Sequence, residues 1–256
     1  VASPVLRVVE HQILVYRRFW RGSAFQYLLN PLLFLGALGF GLGGLIDKHQ
    51  GNVGGVEYLA FVAPGVLAAS AMQAAAGESL WPVLGGFKWV RTYHAMAATP
   101  ISARDVLAGV LLWTAARAAM GATVFVGIAA LLGGVLSPWG VLAIPAAALC
   151  AIAFAAPLAA WSSSQETDFR FPVVMRLGIV PLFLFSGTFF PVSQLPDWLQ
   201  TAAQVSPLYH AVELCRGATT GSIDGWAAVL HVAVLCAFVV VGWWWGGRSF
   251  ERRLSV

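Results

Sequence analysis

An all-α polytopic membrane protein is the fold class this sequence predicts, and three observations predict it. Of 256 residues, 59% are hydrophobic and only 10% charged, against about 25% charged in an ordinary soluble domain. The apolar residues run in blocks, several reaching the ~20 residues that cross a hydrocarbon core as helix. The cations, finally, gather at block ends in an asymmetric way that a single threading explains. A soluble domain of this size has too few charges here to cover its surface.

Hydropathy places six spans at about 25–46, 57–77, 104–133, 138–161, 172–190 and 226–247. With the N-terminus in the cytoplasm, 12 of the 15 Lys and Arg residues fall on the inner side, from Arg7 through Lys88 and Arg91 to Arg253. Only Lys48 and Arg216 fall outside, and Arg117 lies within a span. Both termini are therefore expected in the cytoplasm. Trp139 and Trp226 open spans at the outer face, and Trp243-Trp244-Trp245 close one at the inner face, as interfacial aromatics do. Domain organisation follows: an interfacial segment over 1–24, one six-span domain over 25–247 and a cytoplasmic tail over 248–256. Residues 1–24 carry arginines throughout and lack the apolar core of a secretory signal peptide.

Within 4–21, Val5, Val9, Ile13, Tyr16 and Trp20 recur at steps of three and four, while Arg7, His11, Arg18 and Arg21 follow another stripe. That spacing predicts an amphipathic helix in the headgroup layer; a plain juxtamembrane anchor has the same pattern. Pro31 and the glycines at 36, 39, 41, 43 and 44 mark the first span. Small residues at such spacing admit close helix approach, and equally loosen the helix that carries them.

The fifth span is interrupted. "LFLFSGTFFPVSQLPDWLQ" (182–200) opens as apolar as any span and then meets Gly187, Pro191, Pro196 and Trp198. Residues 173–190 give ~27 Å of helix at 1.5 Å each, just enough to reach the outer face near Phe189 and Phe190. The chain must then stay outside until Trp226, because the last span returns to a basic tail. "FPVSQLPDWLQ" (190–200) and "SPLYHAVELCRG" (206–217) are semi-apolar, each holds a proline that suits a helix start, and each is too short to cross. A pair of short re-entrant outer helices over 191–225 is the economical solution, with a folded cap outside the lipid as the alternative. Broken backbone at membrane depth has to pack on protein or line a wet cavity.

Between the second and third spans, "ESLWPVLGGFKWVRTYHAMAATPISARD" (78–105) mixes Trp81, Phe87, Trp89 and Tyr93 with Lys88, Arg91 and His94. Aromatics among cations suit a protein-docking surface, presented by a short helix over about 87–97 that ends before Thr99-Pro100. A loop packed only on its own bundle is the competing reading. Arg117, in "LLWTAARAAMG", lies near mid-membrane, where a cation costs ~2.5–3.5 kcal/mol and turns toward the bundle interior or water. Its partner is open: an anionic substrate group, an acid elsewhere, or a backbone carbonyl. No acid sits obviously inside another predicted span, Glu57 standing only at the edge of one.

The chain also lacks an energy source: it has no G-x-x-x-x-G-K-[ST] phosphate loop and no relay of intramembrane acids. An external ATPase docking at 78–105 would supply one; an integral-membrane enzyme or receptor acting without an ATPase is the rival. His210 and Glu213 are spaced as a possible ligand pair, but a third ligand is missing, so no metal site is expected. Cys150, Cys215 and Cys236 show no metal spacing. No basic, aromatic-rich soluble surface is large enough for nucleic acid.

These stretches, with "LNPLLFLGALGFGLG" (29–43), "YLAFVAPGVLAASAMQAAAGES" (58–79) and "RTYHAMAATPIS" (91–102), resemble the membrane subunit of ABC-2 type exporters. The resemblance runs nearly end to end. It is strongest to nodulation-factor (lipo-oligosaccharide) exporter permeases and daunorubicin-type drug-efflux permeases. It implies a non-catalytic permease that works with a second copy or sister permease, membrane lipid and two ABC ATP-binding subunits, with ATP and magnesium held by those partners. By resemblance, 1–24 is an elbow helix and 84–97 within the 78–103 loop is the coupling helix, with contacts from Phe87, Lys88, Trp89, Arg91 and Tyr93. Arg117, Phe189 and Phe190 would border the substrate pathway, and Gly187, Pro191, Pro196 and Trp198 would form the gate.

Overall fold

The computed structural model describes residues 3–43, 53, 55–222 and 224–255; apart from one bridge between Val53 and Val56, its regular structure is helical. Helix α1 spans Pro4–Tyr16, α2 spans Trp20–Leu35 and runs on as wider π turns over Gly36–Gly43, and α3 spans Tyr58–Phe87. A short α4, Thr92–Ala97, precedes α5, Ala103–Leu131. After a tight turn at Pro138–Leu142 comes α6, Ala143–Ser163, and then α7, Phe171–Phe185, widened by a π turn at Met175–Ile179. Helices α8 (Asp197–Val205), α9 (Pro207–Thr220) and α10 (Gly225–Leu254) complete the chain.

Four of these helices are long and apolar enough to cross a membrane: α3, α5, α6 with its leading turn, and α10. The protein is a membrane protein with at least these four candidate spans. The expected count of six is not met on length alone. The α7 helix has 15 residues, ~22 Å, and the expected end of the first span at 46, with Lys48, lies outside the described residues. The fifth span is expected to run to 190; its helix stops at Phe185, five residues short of that end and six before Pro191.

Helix α3 occupies the centre. Most of its length is buried, with Val62, Ala68, Met72, Ala76, Val83 and Leu84 fully so. It packs along α6, which in turn carries α5 and α10 on other faces. Small residues permit this density. A Cβ at Gly242 of α10 would lie 2.5 Å from the Pro157 nitrogen of α6, so the two backbones touch where glycine removes the side chain. Polar side chains spend their hydrogen bonds on carbonyls: Ser162 Oγ donates to Leu80 O at 2.7 Å across the α6–α3 contact.

Helix α1 covers only Pro4–Tyr16 of the expected 4–21, with Trp20 of the stripe opening α2 instead, and it is fastened to the bundle by a residue outside that stripe. Val8 is fully buried against α5, at a place where a Cβ on Gly109 would lie 2.5 Å from Val8 Cβ. Ile13 of the stripe remains exposed.

The segment 78–87 corrects the expected loop: it is not a connector but the last third of α3. The connector starts at Lys88 and ends at Ser102. There Ser102 Oγ accepts from the Asp105 amide at 3.2 Å while Asp105 Oδ2 accepts from the Ser102 amide at 2.9 Å. This reciprocal cap sets the first turn of α5.

Candidate functional site

Extending α3 to Phe87 places Glu78 inside the bundle, opposite Arg117 of α5. Arg117 Nη1 stands 2.6 Å from Glu78 Oε1, with both side chains about one-fifth exposed. Arg117 Nε donates to the Tyr27 hydroxyl of α2 at 3.1 Å, and its guanidinium lies 5.2 Å from the Tyr16 ring centroid of α1. One cation thus joins four helices through an ion pair, a hydrogen bond and a cation–π contact. The acid sought as a partner for Arg117 exists.

The pair lines a cavity of about 490 Å³ between α2, α3, α5 and α7, walled by Phe34, Leu67, Phe125 and Phe183 and wetted by Ser70 and Gln73. That volume is in the range of small-molecule sites, and its mostly apolar wall with a few convergent polar groups is their usual composition. Phe189 and Phe190 are not among its lining residues. Phe189 reaches it indirectly, its ring edge-on to Phe183 at 5.0 Å, and Phe190 is half-buried outside it.

At the far end of α3 the expected contact residues divide. Phe87 and Tyr93 are 2% and 4% exposed and stack edge-to-face at 5.0 Å, with Phe250 of α10 also on Phe87. As placed they hold the connector to the bundle rather than offer a surface, because Gly86 has no Cβ to push the Tyr93 ring away. Lys88, Trp89, Val90 and Arg91 are exposed. Arg91 has φ of +56° and is the one non-glycine residue at positive φ among the described residues, a left-handed conformation that costs an L-residue about 1–2 kcal/mol. Burial raises the Tyr93 phenol far above its usual range.

This connector is braced from two sides. Lys88 Nζ donates to the Glu166 carbonyl, and Arg253 of α10 donates to the carbonyls of Ser163 and, at 2.7 Å, Gln165. Arg253 also lies over the Phe87 ring at 5.1 Å. The sequence reading missed Arg253, whose role depends on α6 and α10 ending side by side.

At the opposite end, the interrupted stretch is buried at its break, residues 186–188. Gly187 has φ of +81°, and Ser186 and Thr188 are 1% and 0% exposed. Thr188 presses on α3 where a Cβ at Gly65 would sit 2.6 Å from the Thr188 carbonyl oxygen. Arg216 of α9 ties the stretch down: Nη2 donates to Gly187 O at 2.6 Å and to Phe61 O at 3.4 Å, and Nη1 pairs with Glu213 at 2.7 Å. Pro191 leads a single tight turn, Pro196 precedes α8 and Trp198 is exposed. His210 of α9 meets His231 of α10, Nδ1 to Nδ1 at 2.7 Å, a pairing with no local signal; Glu213 meets Arg216 instead of joining His210 on a metal. Among the described residues no three His, Cys, Asp or Glu side chains gather as a metal site.

Comparison with known proteins identifies the family. The family description "ABC-2 type transporter" matches residues 6–219. Nodulation protein J of Rhizobium leguminosarum bv. trifolii is 35% identical over 94% of this chain and 93% of its own length. Nodulation protein J of Sinorhizobium fredii is 33% identical over 94% and 93%. A daunorubicin resistance ABC transporter permease protein, DrrB1, of Streptomyces coeruleorubidus is 29% identical over 84% of this chain and 74% of its own length. With four membrane-capable helices, a buried ion pair beside a ligand-sized cavity and a match over most of its length, this chain belongs to the ABC-2 type transporter family.

Proposed function

We propose that this chain is the permease subunit of an ATP-driven exporter that moves an amphiphile, a lipid-linked saccharide, glycolipid or hydrophobic drug, outward across a bacterial inner membrane. It has six spans in this reading, α2 with its π turns and α7 joining the four long helices, and both termini are cytoplasmic. Two ATP-binding subunits, which hold the ATP and magnesium, dock on the exposed connector at Lys88, Trp89 and Arg91. A second copy or sister permease completes the pathway, and α8 and α9 are the short outer helices that close it.

The observation that carries the reading is the cavity around Arg117 and Glu78. An apolar pocket with a paired charge inside the bundle suits an amphiphile that brings both a greasy chain and a polar group. The geometry of α3 supports the coupling. Its 30 residues form a rod ~45 Å long that ends at the connector, carries Glu78 beside the cavity and meets the broken stretch at Gly65. A displacement of the connector by closing ATPase subunits would reach the cavity and the gate through this one helix, with Pro64 and Pro82 as its interior bending points.

The test is co-purification with an ATP-binding subunit and reconstitution in vesicles with a fluorescent amphiphile. Trp89→Ala with Arg91→Ala is expected to weaken complex formation and reduce ATP-dependent transport by at least tenfold. Unchanged assembly and transport in that double variant would overturn the docking assignment. Failure of any ATP-binding chain to drive transport would overturn the function.

A further inference from the structure

We propose that the outer segment holds a second binding site, distinct from the Arg117 cavity, for the uncharged polyhydroxyl head of an amphiphile: a neutral oligosaccharide. The site is a cavity of about 590 Å³ between the start of α3, residues 191–193 and the polar sides of α8 and α9. It rests on the exporter reading for its role in transport, and on its own geometry for what it binds.

Its lining inverts that of the inner cavity. Eight of its thirteen lining residues are polar or charged, against six of nineteen around Arg117. A drug-like site is mostly apolar, and an apolar guest here would strip water from groups it cannot satisfy, at a cost for each. The guest must bring hydrogen bonds.

The charges argue that it brings no net charge. Arg216 and Glu213 pair at 2.7 Å, and the guanidinium is further spent on the carbonyls of Phe61 and Gly187. Neither ion needs a counter-ion from a ligand. The half-buried Tyr209 hydroxyl and the exposed Gln204 side-chain amide and Ser193 hydroxyl, by contrast, line the cavity with their polar atoms open to water or a guest. Together they offer donors and acceptors of both kinds, and a sugar hydroxyl, a donor and an acceptor at once, pairs with such a mixture in any order. An anionic or purely apolar head fits these groups less well. Placed against the broken stretch that Arg216 holds, the site receives a head group that has passed the gate while its tail is still in the bundle.

The chain in lipid nanodiscs is titrated with short malto-, cello- and chito-oligosaccharides, with binding followed by saturation-transfer NMR and calorimetry. Saturable binding of at least one series is expected, weakened about tenfold in Gln204→Ala with Tyr209→Phe. Ser193→Val, a change on an exposed turn, is expected to weaken it severalfold and serves if the double variant does not fold. No saturable binding of any series up to roughly 50 mM, an affinity too weak to matter, overturns the site, as does binding that none of these variants alters. ATP-dependent efflux of a hydrophobic dye is measured in parallel. Efflux without sugar binding removes this site and leaves the exporter; sugar binding without efflux supports the site and removes the exporter.

Discussion

Two Arg–Glu pairs lie within this bundle, and they are built differently. Arg117 is held by side chains alone: the Glu78 carboxylate, the Tyr27 hydroxyl and the faces of Tyr16 and Tyr27. Arg216 is held by one carboxylate and two backbone carbonyls, 3.4 Å from Phe61 O and 2.6 Å from Gly187 O, with the Phe61 ring 4.0 Å below it. Side-chain partners rotate and can be exchanged for groups on a ligand. Carbonyl partners move only with the main chain. Both pairs line cavities, but the first, held by side chains, is suited to rearrange, whereas the second, held by main-chain carbonyls, fixes a loop.

The largest expected effect tests the fixed pair. In Arg216→Met, Glu213 keeps a charge without its partner and the Gly187 and Phe61 carbonyls lose their donor. Removing one member of a buried pair costs about 3–5 kcal/mol, on the order of 10 °C in thermal midpoint for a chain of this size. Thermal unfolding in detergent checks it, with labelling of Ser186→Cys, buried next to the turn, in a Cys236→Ser background as a reporter of exposure. If the midpoint holds and residue 186 stays protected, the arginine is not what fastens the break.

The exchangeable pair is expected to show the opposite balance. Arg117→Met strips no main-chain carbonyl of its donor, so the thermal loss is smaller, about 2 kcal/mol, while export falls tenfold or more. The double replacement Arg117→Gln with Glu78→Gln keeps a side-chain hydrogen bond and removes both charges. Its stability is expected within about 1 kcal/mol of the parent, with export of anionic fluorescent lipid lost and that of a neutral analogue retained. Equal loss of both substrates would show that the pair only holds the helices together.

A third replacement bears on the contact rather than the charge. Gly65→Ala would place its Cβ 2.6 Å from the Thr188 carbonyl oxygen, main chain against side chain, where neither yields easily. Overpacking of this kind costs about 1–3 kcal/mol. The same replacement at Gly127 of α5, which has open space around it, is expected to be neutral in thermal midpoint.

The contrast between the pairs also explains what the sequence could and could not disclose. The broken stretch was legible because its signals are local: Gly187 takes a positive φ that glycine tolerates, and Pro191 and Pro196 each precede a new element. The membrane class and the long helices followed from apolar runs of sufficient length. Glu78 was misplaced because a hydropathy window charges each acid its full cost and so ends the helix at 77. Its cost is offset by Arg117, 39 positions away in sequence, and no window sees that. The brace from Arg216 to Phe61 O crosses 155 positions and leaves no periodicity at all. Phe87 and Tyr93 read as exposed aromatics because the connector looked polar in one dimension; the end of α10 covers them. Local backbone chemistry is therefore readable one residue at a time, whereas charge burial is a property of pairs.

The smallest expected effect separates the parts of the Arg117 hub. Tyr27→Phe removes the hydroxyl that accepts from Arg117 Nε at 3.1 Å and keeps the ring beneath the guanidinium. A single hydrogen bond contributes about 0.5–1.5 kcal/mol net, so the thermal midpoint should fall by only a few degrees. Transport distinguishes the two roles left to the hydroxyl. If the pair exchanges partners during export, releasing one tether lowers the cost of freeing Arg117, and the ATP-dependent rate is expected to stay level or rise up to about twofold despite the lost stability. If the hub is a fixed strut like Arg216, the rate falls in step with the midpoint, and the distinction drawn between the two arginines fails with it.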